Sequence, residues 1–168
     1  MRTGVYGMKG HAEEGLAGRV MLLIICYGNP LCGDDGVGWV IGQQFAEKKL
    51  PARTRVVVCH QLTPELADPI SQAERVVFVD ACLKGNPGKV TCMRLDPEGN
   101  HLGPIGHIMK PQTLLGISRW LYGKAPEALI VSVAGTRFKL GEPFSPEVER
   151  VLPTMAYRIR ACLTAWGP

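Results

Sequence analysis

The chain lacks a block of like charge. Its 19 lysines and arginines stand against 15 acids, and the net +4 is spread along all 168 residues. Aromatic residues make up only 7% and form no ladder. Together these absences argue against a nucleic-acid surface. No apolar run reaches the ~20 residues that a membrane-spanning helix needs. No two of the six cysteines form a C-x-x-C, which removes the common zinc and redox spacings. Several cysteines sit inside apolar runs, as buried free thiols do. A reducing, cytoplasmic setting without disulfides or structural zinc is therefore expected. There is also no G-x-x-x-x-G-K-[ST], no G-x-G-x-x-G and no G-x-S-x-G, and no histidine is evidently paired with Cys32. The phosphate-binding loops and the serine or cysteine nucleophile signatures are missing.

What is present is an ordinary globular composition, 46% apolar and 20% charged, long enough for one domain with a real core. Residues 1–20 stand apart. They hold Gly4, Gly7, Gly10, Gly15 and Gly18, have no clear period, and lack the apolar segment of a secretory signal. They are expected to be a flexible extension, with Met21 as the natural start and the folded domain over 21–168.

From Met21 onward, apolar runs alternate with helical patterns. Strands are expected at 21–26, 54–59, 75–79, 89–95 and 129–133, the fourth more alternating and nearer an edge. Helices are expected at 37–48, at 64–72 behind an N-cap at Thr63, and at 111–121. A last helix from the Ser145 cap to about 166 should be bent at Pro153. Strands that alternate with helices predict an α/β fold: a single three-layer domain with a mostly parallel five-stranded sheet and helices on both faces.

Polar residues then fall at telling places. Gly28-Asn-Pro-Leu-Cys-Gly-Asp-Asp-Gly-Val-Gly38 joins the first strand to the first helix. The loops at this edge of an open α/β sheet line a crevice. Glycines let the backbone turn and approach a partner closely there. One aspartate of the pair Asp34 and Asp35 is explained by helix capping; two are not. Two acids in that loop would also repel an anion at the helix N-terminus, which disfavours a phosphate or nucleotide binder. Asp80 ends the run Val-Val-Phe-Val, where a carboxylate is costly unless it is paired or faces the crevice. His107, in Gly106-His-Ile-Met-Lys-Pro111, precedes a helix, whereas His101 lies in a glycine turn. Two carboxylates and an imidazole suit nickel or zinc with open positions. The same groups suit acid–base work, one carboxylate raised by its neighbour. Spacing leaves both open.

These three blocks, in this order and separation, resemble the hydrogenase maturation endopeptidases over residues 21–166. That family clips a C-terminal tail from the large-subunit precursor of nickel–iron hydrogenases. The resemblance implies a five-stranded sheet flanked by helices. It implies an endopeptidase, classed as aspartic-type, whose nickel-contacting acids fall on Asp35 and Asp80 and whose histidine falls on His107. Asp34 is then a capping or supporting residue. The resemblance further implies that nickel is carried by the precursor and read as a checkpoint. No tightly bound cofactor is expected, only weak binding of added nickel, zinc or cadmium. The expected partner is that precursor, with no nucleic acid and no membrane. One departure stands out. Many members have a Gly-Gly pair after the second strand, and here Cys59-His-Gln-Leu-Thr63 takes its place. His60 thereby joins the crevice mouth as a candidate additional ligand. A nickel-binding chaperone without peptidase activity is the alternative, since it would use the same three ligands.

Overall fold

The computed structural model describes residues 20–98 and 109–165. Five strands form one sheet in the order β2-β1-β3-β5-β4. They are β1 (Val20–Tyr27), β2 (Thr54–Cys59), β3 (Ala73–Cys82), β4 (Val90–Leu95) and β5 (Glu127–Ala134). The four strands β2, β1, β3 and β5 are parallel, and β4 runs antiparallel along the β5 edge. The helices are α1 (Val37–Ala46), α2 (Ala67–Gln72), α3 (Pro111–Tyr122) and α4 (Pro146–Ala165). The expected class, strand count and edge position of the fourth strand all hold.

The sheet separates two apolar layers. Leu22, Ile24 and Cys26 of β1 face α1 and α4, packing with Val37, Ile41, Phe45, Met155 and Ile159. Leu23 and Ile25 face the other way, toward α2 and α3, with Ile70, Leu114 and Leu115. Alternate residues of a strand point to opposite faces, so a strand covered on both sides must be apolar at every position. That is why β1 and β3 read as unbroken aliphatic runs.

Several boundaries differ from expectation. A 3-10 turn, Gly33–Gly36, precedes α1, which ends at Ala46. Another 3-10 turn, Pro64–Leu66, precedes α2. Thr63 is extended there but makes no side-chain cap; its side chain bonds Glu65 instead. Strand β3 runs to Cys82, past Asp80, because Asp80 to Cys82 keep pairing with Ser132 to Ala134 of β5. Ser145 caps α4 as expected, its hydroxyl accepting the Val148 amide at 3.3 Å. Helix α4 carries Pro153 in its interior. Residues 1–19 and 99–108, the latter including His101 and His107, lie outside the described residues.

Candidate functional site

The site is built at the C-terminal ends of β1 and β3. Strand β1 closes on Tyr27, and the chain leaves it through Gly28 at φ 138°. A side chain at Gly28 would overlap the Asp35 carbonyl oxygen. Only glycine both adopts this φ and leaves that room. The loop then folds on its own groups. The Asn29 side chain accepts the Leu31 amide at 3.0 Å, and the Cys32 amide reaches back to the Asn29 carbonyl at 3.0 Å. This turn brings Asp35 back over its start, where its Oδ2 accepts the Asn29 amide at 2.7 Å.

The 3-10 turn decides which aspartate does what. With three residues per turn, neighbouring side chains diverge by roughly 120°. Asp34 therefore points inward and is fully buried, while Asp35 stays half-buried at the crevice. Asp34 Oδ2 accepts the amides of Thr136 at 2.7 Å and Arg137 at 3.0 Å, and its Oδ1 accepts the Ser145 amide at 2.7 Å. Burial alone would raise its pKa. The amides of Ser145, Arg137 and Thr136 outweigh that and hold the carboxyl below the usual carboxylate range. Asp34 caps neither the 3-10 turn nor α1. It fastens the motif loop to the segment between β5 and α4.

Asp80 stands beside this loop. Its Oδ1 accepts the Ala81 amide at 2.8 Å, and the Tyr27 hydroxyl donates to its carboxylate. Burial pushes Asp80 up to about 6; the Tyr27 and Ala81 bonds pull it down, and the Asp35 charge pushes it up again. Asp35 and Asp80 thus lie close enough for their charges to interact. Burial, reinforced by the Asp80 charge and hydrogen bond, also raises the Tyr27 phenol, so it remains a donor at neutral pH.

His60 follows β2 directly and is exposed. Its ring packs 4.6 Å from that of Trp39 on α1, tilted by 42°. Among the described residues, no three histidines, cysteines, aspartates or glutamates are grouped so as to hold a metal ion. The pair Asp35 and Asp80 is therefore short of a ligand set without a further donor.

Sequence reasoning missed Tyr27 and the anchors of Asp34. Tyr27 had a legible signal, because it is the polar end of an aliphatic strand. Thr136 and Arg137 had none, because they act through backbone amides, which any residue type supplies, about a hundred positions away. Ser145 was legible as the α4 cap but not as a partner of Asp34, which it holds through both its amide and its hydroxyl.

No family model and no curated protein matches the chain. Solved structures do. The hydrogenase maturating endopeptidase HybD from E. coli aligns with a TM-score of 0.69 and 19% identity, over 88% of this chain and 94% of that one. An endopeptidase from Escherichia coli aligns at 0.71 and 22%, over 88% and 94%. HybD from Thermococcus kodakarensis, a [NiFe] hydrogenase maturation protease, aligns at 0.64 and 23%, over 84% and 98%. The chain shares the fold of the hydrogenase maturation endopeptidases. At these identities the likeness speaks for the fold, and it agrees with the resemblance carried by the motifs.

Proposed function

We propose that the chain is an endopeptidase that removes the C-terminal tail of a nickel–iron hydrogenase large-subunit precursor after nickel insertion. The observation that carries this reading is the proximity of Asp35 and Asp80, beyond the end of β1 and near the end of its neighbour β3. The two motif acids lie 45 positions apart in sequence, yet one raises the pKa of the other. Its fold likeness to structures described as hydrogenase maturation proteases supports the same conclusion. His107 is proposed as the third contact. It precedes Pro111, the first residue of α3. Helix α3 leads through a short link into β5 and so runs against the parallel strands. Its N-terminus accordingly faces the edge where β1 and β3 end.

Peptide hydrolysis needs a polarised carbonyl, an activated water and a proton for the leaving amine. The precursor's nickel, contacted by Asp35, Asp80 and His107, would supply the Lewis acid that polarises the carbonyl or acidifies a water. A carboxylate with a pKa near 6 is mostly ionised at neutral pH. It can take the proton of the water and pass it to the amine nitrogen. Tyr27 holds that carboxylate in one orientation.

The test is to incubate the chain with nickel-loaded and nickel-free precursor and to measure intact mass. Shortening of the loaded form alone is the expected result. Nickel transfer with unchanged precursor length would instead identify a carrier.

A further inference from the structure

We propose that Cys92 and Cys162 are a reversible disulfide site that clasps the edge strand to the last helix. Cys92 lies on β4, paired with Val131 of β5. It shares the face of Val90, two positions earlier, which packs against the layer beneath α4. Cys162, near the end of α4, packs against the same layer. Their sulfurs stand 3.9 Å apart, across 70 positions of sequence. A disulfide requires about 2.05 Å, so modest side-chain rotation closes the gap. Cys92 is exposed and Cys162 half-buried, so an oxidant reaches the pair from the Cys92 side. Two of the other cysteines are placed differently. Cys26 is fully buried, and the Cys82 thiol is engaged with the Lys84 carbonyl at 3.2 Å.

The oxidant is a small-molecule disulfide such as oxidised glutathione. The Cys92 thiolate attacks one of its sulfurs, forming a mixed disulfide and releasing one glutathione thiol. The Cys162 thiolate then attacks the Cys92 sulfur, closing the bridge and releasing the second thiol. The protein loses two electrons and two protons, and the oxidant gains them. Burial pushes the Cys162 thiol up to about 11, and the neighbouring Cys92 pushes the same way. The more exposed Cys92 therefore makes the first attack, and Cys162 resolves the mixed disulfide.

The clasp joins parts of β4 and α4 remote from Ser145 and Asp34, so it acts on stability and is independent of the proposed peptidase activity. A bridge over a loop of this length restricts the unfolded chain strongly.

The experiment incubates the folded full-length protein in graded ratios of oxidised to reduced glutathione. It is read by intact mass, non-reducing peptide mapping and thermal melting. The wild type is expected to lose the mass of two hydrogens, to yield a cross-linked Cys92–Cys162 peptide, and to melt roughly 5 °C or more higher. Cys162→Ser should stop at a glutathione adduct on Cys92, and Cys92→Ser should form no bridge and gain no stability. A wild type that stops at the adduct, joins two chains through Cys92, or bridges other cysteines would overturn the proposal.

Discussion

Burial at the crevice pushes the Asp80 carboxyl up to about 6, and this shift has a sign for stability. Below the unfolded carboxylate value of about 3.9 both states hold the proton. Between that value and about 6 the unfolded chain ionises while the folded one stays protonated. Stability therefore falls as pH rises through this window, and the full cost is present above it. Two pKa units correspond to about 3 kcal/mol. Asp80→Asn removes the ionisable group while keeping an acceptor for the Tyr27 hydroxyl. It should abolish processing yet stabilise the fold by roughly 1–3 kcal/mol at pH 7.5, with the gain vanishing near pH 3.5. Urea melts at both pH values check this, and a variant less stable at pH 7.5 would contradict the assigned shift. Tyr27→Phe removes a bond that lowers Asp80. The Asp80 pKa should then rise further, which moves the acid limb of the processing profile to higher pH. An unmoved limb with intact folding would show that Tyr27 does not act through Asp80.

Helix α1 is set by contacts that propensity scales do not hold. A side chain at Gly38 would overlap the Tyr27 carbonyl oxygen and come within 2.7 Å of the Val79 carbonyl oxygen. The helix thus sits directly on the backbone of β1 and β3, just after the loop that presents Asp35. Glycine to alanine inside a helix ordinarily stabilises by about 0.5–1 kcal/mol. Gly38→Ala should instead destabilise by roughly 3 kcal/mol and reduce processing, because α1 must lift off the sheet. Denaturant melts of Gly38→Ala decide the sign, and a stabilised variant would refute the close docking. The elements themselves were legible: β1 and β3 from unbroken aliphatic runs, α3 from its apolar period behind Pro111, and α4 from the Ser145 cap. Their ends were not. Strand β3 gains Asp80 to Cys82 because β5 offers partners there, a fact of tertiary pairing. The 3-10 turn that separates Asp34 from Asp35 also leaves no periodicity to read. The motif marked both acids as special and the resemblance left Asp34 as capping or supporting; the hydrogen bonds to Thr136, Arg137 and Ser145 make it a supporting residue.

Across the whole molecule, Asp34 ties the motif loop, the end of β5 and the start of α4 into one unit, while Asp35 faces outward from it. The two neighbours should fail in different ways. Asp34→Asn turns an amide donor toward the Thr136 and Arg137 amides or the Ser145 amide, so stability should fall by roughly 2–4 kcal/mol. Asp35→Asn keeps an acceptor for the Asn29 amide, so the fold should hold within about 1 kcal/mol while processing is lost. The proposed metal contact spans three segments too: Asp35 after β1, Asp80 in β3, and His107 before α3. Coordination needs ionised carboxylates and a neutral imidazole. The Asp80 shift to about 6 and the ordinary imidazole value of about 6.5 place both requirements in the same range. Added nickel should bind weakly at pH 7.5, and binding should collapse steeply as pH falls from 7 to 5, with more than one proton taken up per ion lost. Asp35→Asn, Asp80→Asn and His107→Ala should each weaken binding more than about tenfold, or 1.4 kcal/mol. His60→Ala should do less, because that ring already packs on Trp39. Isothermal titration of the wild type and the four variants, in buffers of different ionisation enthalpy, counts both ions and protons. Nickel binding unchanged by the Asp35, Asp80 and His107 substitutions would mean that the crevice holds no shared metal contact. The paired carboxylates would then have to serve hydrolysis by acid–base chemistry alone.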